Sequence, residues 1–191
     1  MPPTDDSHAT ASAPTIGDDH LSAALKDRFG HLAFRPMQRD IIADALAGRD
    51  VLVVMPTGGG KSLCYQLPAT VDDGVTLVVS PLIALMQDQV QALSANGVEA
   101  TVLNSTVTAR DIYDREQAAA RGQYRLIYMA PERLMSSTGA RLIERLNLSR
   151  IAIDEAHCIS EWGHDFRPEY RMLGQLRKRY PDVPIMALTA T

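Results

Sequence analysis

Val51-Leu52-Val53-Val54-Met55-Pro56-Thr57-Gly58-Gly59-Gly60-Lys61-Ser62 is the stretch on which the whole chain turns. Its apolar, β-branched start predicts a buried strand, and the residues after Ser62 predict a helix. Between them, three glycines let the backbone wrap an anion with its N–H groups pointing inward. The helix N-terminus adds about half a positive charge at the same place. Thr57, Gly58, Gly59 and Gly60 are therefore expected to cradle a polyphosphate, with Lys61 reaching its β and γ groups and Ser62 ligating Mg²⁺. Met55 stands where the strict G-x-x-x-x-G-K-[ST] pattern has its first glycine.

Further strands are expected in VTLVVS from Val75, ATVL from Ala100, RLIYM from Arg125, RIAI from Arg150 and PIMAL from Pro184. Helices are expected over Met37–Ala47, Ser62–Leu67, Leu82–Asn96, Ala109–Arg121, Ala140–Leu146 and Glu169–Tyr180. The strands are continuously apolar, so both faces of their sheet should be covered. Strand and helix in alternation make an α/β domain with a mostly parallel sheet, whose functional loops lie at the carboxyl ends of the strands. RIAI ends in Asp154-Glu155-Ala156-His157. On a strand beside the phosphate-loop strand, Asp154 would hold Mg²⁺ through water and Glu155 would orient and deprotonate an attacking water. His157 would link this pair to whatever lies next to it. The two hydroxyls of Thr189-Ala190-Thr191 are placed to hydrogen-bond the acidic box.

The chain has 191 residues, enough for one domain and a tail. Residues 1–20 are rich in Pro, Ser, Thr, Ala and Asp and predict a disordered tail, leaving residues 21–191 as the domain. The net charge of −4 argues at first against a nucleic-acid partner. Four of the 23 acids lie in that tail, however, so the remaining 19 acids balance 19 bases. A neutral body can still gather its arginines on one face. No apolar run approaches the roughly 18 residues of a membrane helix, and no lysine or arginine precedes Lys26 in the manner of a secretory signal. Cys64 and Cys158 are far apart and form no Cys-x-x-Cys pair, so neither zinc nor a disulfide is expected.

Seven segments in order, FGHLAFRPMQ, MPTGGGKSLCYQ, VVSPLIALMQDQV, LNST, YMAPERL, DEAHCISEWGHDFRPEY and ALTAT, resemble the first RecA-like domain of RecQ-family DNA helicases, within the DExH superfamily 2 enzymes. The resemblance spans nearly all of residues 21–191 and is strongest to the bacterial branch. It implies a three-layer RecA-like P-loop domain, with a mostly parallel central sheet and helices on both faces. It also implies a 3′-to-5′ DNA helicase that uses ATP and Mg²⁺ in recombination and repair, cytoplasmic and nucleoid-associated in a bacterium. The implied catalytic group is Lys61, Asp154, Glu155 and His157, with Ser62 and Asp154 on the metal. The implied adenine site is Arg35 and Gln38, Gln38 on the base edge and Arg35 on its face, with His31 where the family often has Tyr.

The same resemblance implies an aromatic-rich loop after His157, in which Trp162, His164, Phe166 and Arg167 contact single-stranded or partly duplex DNA and report to Glu155. Bases stack on such faces for about 1–3 kcal/mol each. Ser80, Asn104, Ser105 and Thr106 are implied contacts to the DNA backbone. Arg171, Arg177, Lys178 and Arg179 would form a basic face, which is more often solvated surface than site. Two other readings remain open: an RNA helicase of the same superfamily, and a module that binds nucleotide and DNA without turnover. Superfamily 2 motors use a second RecA-like domain, which supplies an arginine finger worth about 10³ or more in rate. It has no room in this sequence, so weak nucleotide binding and little DNA-stimulated ATPase are expected of the chain alone.

Overall fold

A computed structural model describes residues 18–159, 167–171 and 173–190. Six strands form one sheet: β1 (Val51–Val54), β2 (Val75–Val79), β3 (Ala100–Leu103), β4 (Leu126–Met129), β5 (Leu148–Ile153) and β6 (Ile185–Thr189). Their order is β1-β6-β5-β2-β4-β3 and every pairing is parallel. Every strand therefore ends on the same side of the sheet, and the loops that follow β1 to β5 share one rim.

Helices α2 (Gln38–Leu46), α3 (Leu63–Val71) and α4 (Ile83–Ala95) cover one face, where Ile41, Tyr65 and Met86 pack with Val78 and Tyr128. On the other face lie α5 (Ala109–Ala120), α6 (Pro131–Met135), α7 (Ser137–Ile143), α8 (Pro168–Arg171) and α9 (Gly174–Arg179). There Ala119, Leu134, Leu142, Tyr170 and Leu176 pack on Leu77, Ile127 and Ile151. The three-layer expectation thus holds, and the sheet is wholly rather than mostly parallel.

Three local expectations are corrected. The structure adds α1 (Asp18–Phe29), so the tail expected to reach residue 20 gives way to helix at Asp18. Leu21 and Leu25, one turn apart, bury against Ile42, Leu63 and Leu67 and account for this helix. The expected helix over Ala140–Leu146 runs instead over Ser137–Ile143, because the Ser136 hydroxyl caps it by accepting from the Gly139 N–H at 3.1 Å. Coverage of the sheet is also incomplete at β1: Leu52 and Val54, on one face of this edge strand, are 72% and 54% exposed.

Candidate nucleotide and nucleic-acid site

The phosphate loop follows β1 as expected. Gly58 and Gly60 have φ of 79° and 84°, in the left-handed region that glycine adopts without strain. A Cβ at Gly60 would also meet the Gln38 amide, which would have to give up its place against the loop. Gly59 N–H donates to the Pro56 carbonyl at 2.9 Å and closes the turn. The Lys61 ammonium, half-buried, donates to the Met55 carbonyl at 3.1 Å.

Arg35 and Gln38 reach this loop rather than standing open to a base. The Arg35 guanidinium donates to the Gly58 carbonyl. Gln38, only 2% exposed, donates from Nε2 to the Gly60 carbonyl at 3.0 Å and accepts from the Arg35 N–H at 2.8 Å. Both ends of the Gln38 amide are therefore engaged in holding the loop. His31 lies exposed just beyond α1. Met37, immediately before Gln38, has φ of 69°, a costly backbone state for a side chain of its size.

The acidic box ends β5, but β5 is not beside β1. Strand β6 lies between them, pairing with both. Spacing along the chain carries no information about this insertion, which is set by how the last crossover returns. Strand β6 brings Thr189, whose hydroxyl sits 3.1 Å from His157 Nδ1. The same nitrogen is 3.2 Å from Glu155 Oε2. Asp154 is 7% exposed and accepts the Glu155 N–H at 3.0 Å. Burial pushes its carboxyl from the usual range up to about 6, the Glu155 charge adds to this, and the Glu155 N–H, Lys61 and His157 oppose it. A buried carboxylate short of compensating charge, beside Lys61, is what a divalent cation would relieve. Glu155 has φ of 50°, the only other non-glycine left-handed residue among those described. Behind the box, the fully buried Tyr170 hydroxyl donates to the Asp154 carbonyl at 2.9 Å.

The loops after β2, β3 and β4 meet in a groove of about 490 Å³ lined in part by Pro81, Asn104, Ser105, Glu132, Arg133 and Arg167. Ser105 and Thr106 are exposed. Ser80 and Asn104 are each 2% exposed, and Ser80 Oγ and Asn104 Nδ2 are buried without a hydrogen-bond partner. Arg133 pairs with Glu116, yet its Nε is also buried and unpartnered. Glu132 and Arg133 were not singled out from sequence; their place right after β4 in YMAPERL was the signal. The Arg167 N–H donates to the Cys158 carbonyl at 3.0 Å. Trp162, His164 and Phe166 lie outside the described residues. The basic stretch of α9 is spent on ion pairs, Arg177 with Asp50 and Arg179 with Glu144.

The family model for DEAD/DEAH box helicases matches residues 35–191. A Haemophilus influenzae protein named ATP-dependent DNA helicase RecQ is 54% identical over 88% of this chain and 27% of its own length. A Bacillus subtilis protein of the same name is 48% identical over 87% of this chain and 29% of its own. The chain thus spans about a quarter of the length of such relatives. Among solved structures, the DUF1998 helicase MrfA bound to DNA superposes with a TM-score of 0.67 at 22% identity, over 91% of this chain and 26% of that one. The Pyrococcus furiosus Hef helicase domain does so with 0.62 at 23%, over 87% and 34%. These two speak for the fold. No helix among the described residues is long and apolar enough to cross a membrane. With the P-loop, the acidic box and the parallel sheet in place, the chain belongs to the DEAD/DEAH box helicase family, as a RecA-like domain of the RecQ type.

Proposed function

We propose that this chain is the ATP-binding lobe of a 3′-to-5′ DNA helicase, holding Mg-ATP on the P-loop and single-stranded DNA across the groove beside it. The observation that carries this is the common rim: Lys61 after β1, Asp154 and Glu155 after β5, and the groove residues after β2, β3 and β4. Ser62 and Asp154 would hold the Mg²⁺, which neutralises charge on the β and γ phosphates. Lys61, released from the Met55 carbonyl, would take a γ-phosphate oxygen. Glu155, oriented by His157, would accept the proton of the attacking water, and His157 would pass the state of the site to Thr189. Gln38 and Arg35 would then exchange loop carbonyls for the adenine, so that base recognition and loop opening are one event. The DNA preference follows the named relatives; backbone contacts alone would not separate DNA from RNA.

A fluorescent ATP analogue with Mg²⁺, titrated with and without oligodeoxythymidine, tests the assignment alongside steady-state ATP hydrolysis. Lys61→Ala should weaken nucleotide binding by at least about tenfold. Glu155→Gln should keep binding but lower hydrolysis by about 10²-fold or more. Unchanged binding in the first variant overturns the role of Lys61, and unchanged turnover in the second overturns that of Glu155.

A further inference from the structure

Two sets of side-chain hydrogen bonds, joined by the α4 backbone, lie between the phosphate helix and the groove without passing through the acidic box. Gln66, one turn into α3 and 7% exposed, donates from Nε2 both to the Tyr128 hydroxyl at 3.0 Å and to Gln89 Oε1 on α4. Two residues earlier on α4, Gln87 donates to the Thr106 hydroxyl at 2.9 Å. Thr106 in turn gives both its N–H, at 3.0 Å, and its hydroxyl, at 2.7 Å, to Asn104 Oδ1. The other end of the Asn104 amide is the buried, unpartnered Nδ2 at the groove. Tyr128 is 1% exposed, and Tyr65, the residue before Gln66, packs edge-on to it with ring centroids 6.4 Å apart.

We infer that Gln66 is a positioning residue, through which occupancy of the groove by single-stranded DNA changes how tightly α3 and its Lys61-Ser62 end hold Mg-ATP. A ligand that takes Asn104 Nδ2 pulls on the same planar amide whose Oδ1 holds Thr106. Thr106 is tied to α4, a continuous helix of thirteen residues. Its displacement is felt at Gln89, hence at Gln66 on the helix that begins at the phosphates. Tyr128 acts as the anchor: it keeps the Gln66 amide aimed at α4, and Tyr65 fixes the Tyr128 ring. An apolar residue at position 66 would fill the same space without making either bond, which the fold alone does not require. Coupling of this kind is reciprocal, so nucleotide must tighten or loosen DNA by the same factor.

This inference rests on the proposed binding of ATP and single-stranded DNA, and equilibrium binding separates the two. The Kd of a fluorescent ATP analogue with Mg²⁺ is measured with and without saturating oligodeoxythymidine, for the unaltered chain, Gln66→Leu and Gln89→Ala. The unaltered chain should show a ratio of about fivefold or more, the low end of ordinary site-to-site coupling. In both variants the ratio should fall below about twofold, while the Kd for each ligand alone stays within about threefold. Gln89 is half-buried on a helix surface, so its variant stays informative if Gln66→Leu folds poorly. A ratio that survives in Gln89→Ala, or an unaltered chain that binds both ligands with a ratio of one, overturns the inference and leaves the proposed function standing. Failure of the unaltered chain to bind either ligand removes both.

Discussion

The rim of the sheet has two halves that differ in how they treat their polar atoms. In the nucleotide half, the polar side chains are tied to backbone groups or to one another. Lys61 holds the Met55 carbonyl, Gln38 spans the Arg35 N–H and the Gly60 carbonyl, His157 meets Thr189, and Tyr170 holds the Asp154 carbonyl. In the groove half, Ser80 Oγ, Asn104 Nδ2 and Arg133 Nε are buried and bond nothing. A buried polar atom without a partner costs about 1–3 kcal/mol. The first half is therefore preformed and must exchange existing bonds for its ligand, while the second already bears a desolvation cost that a ligand or a local rearrangement removes. Asp154 is the exception in the first half, since its charge rather than its hydrogen bonding is left uncompensated.

That exception predicts the largest change in stability. The Asp154 carboxyl titrates near 6 in the fold against 3.8 in the unfolded chain, so the folded state binds the proton first. Its charge then lowers stability above pH 6, and the cost fades as pH falls from about 6 toward 4. Without Mg²⁺, Asp154→Asn should stabilise the protein by up to about 3 kcal/mol at pH 7.5, with only about 0.5 kcal/mol of that gain left at pH 4. Urea unfolding at the two pH values measures this, and an equal gain at both would mean that burial of the charge is not the cause. Next comes Tyr170→Phe, which deletes a satisfied bond at 2.9 Å in the nucleotide half and should cost about 1 kcal/mol. The effect of opposite sign is expected from Ser80→Ala in the other half, neutral to stabilising by about 1 kcal/mol, because the buried hydroxyl it removes bonds nothing. A loss from Ser80→Ala as large as that from Tyr170→Phe would erase the contrast between the halves.

Local chemistry was legible from sequence and long-range order was not. The strand, glycines and Lys61-Ser62 of the P-loop are contiguous, so one window of residues contains the whole device. The acidic box was legible for the same reason. That β6 would insert between β5 and β1 could not be read, because strand order depends on crossovers over many residues. Gln38 is expected at the nucleotide site from sequence, but its hold on the Gly60 carbonyl is a tertiary contact 22 residues away with no sequence signature. Ser80 and Asn104 carry the right groups for a backbone contact, but their depth at the groove had no sequence signature, since burial at a strand end is decided by the neighbouring loops. Helix α1 was missed because Leu21 and Leu25 are only two apolar marks in a polar stretch.

The backbone of Glu155 has a consequence for anyone who evolves this protein in the laboratory. At φ of 50° a residue with a side chain forgoes about 1–2 kcal/mol that glycine would not. A library selected only for yield, solubility or heat resistance will therefore enrich glycine or asparagine at this codon and discard the proposed general base. The residue persists only under selection that counts turnover, so any campaign to harden the domain must score hydrolysis in every round or hold position 155 fixed.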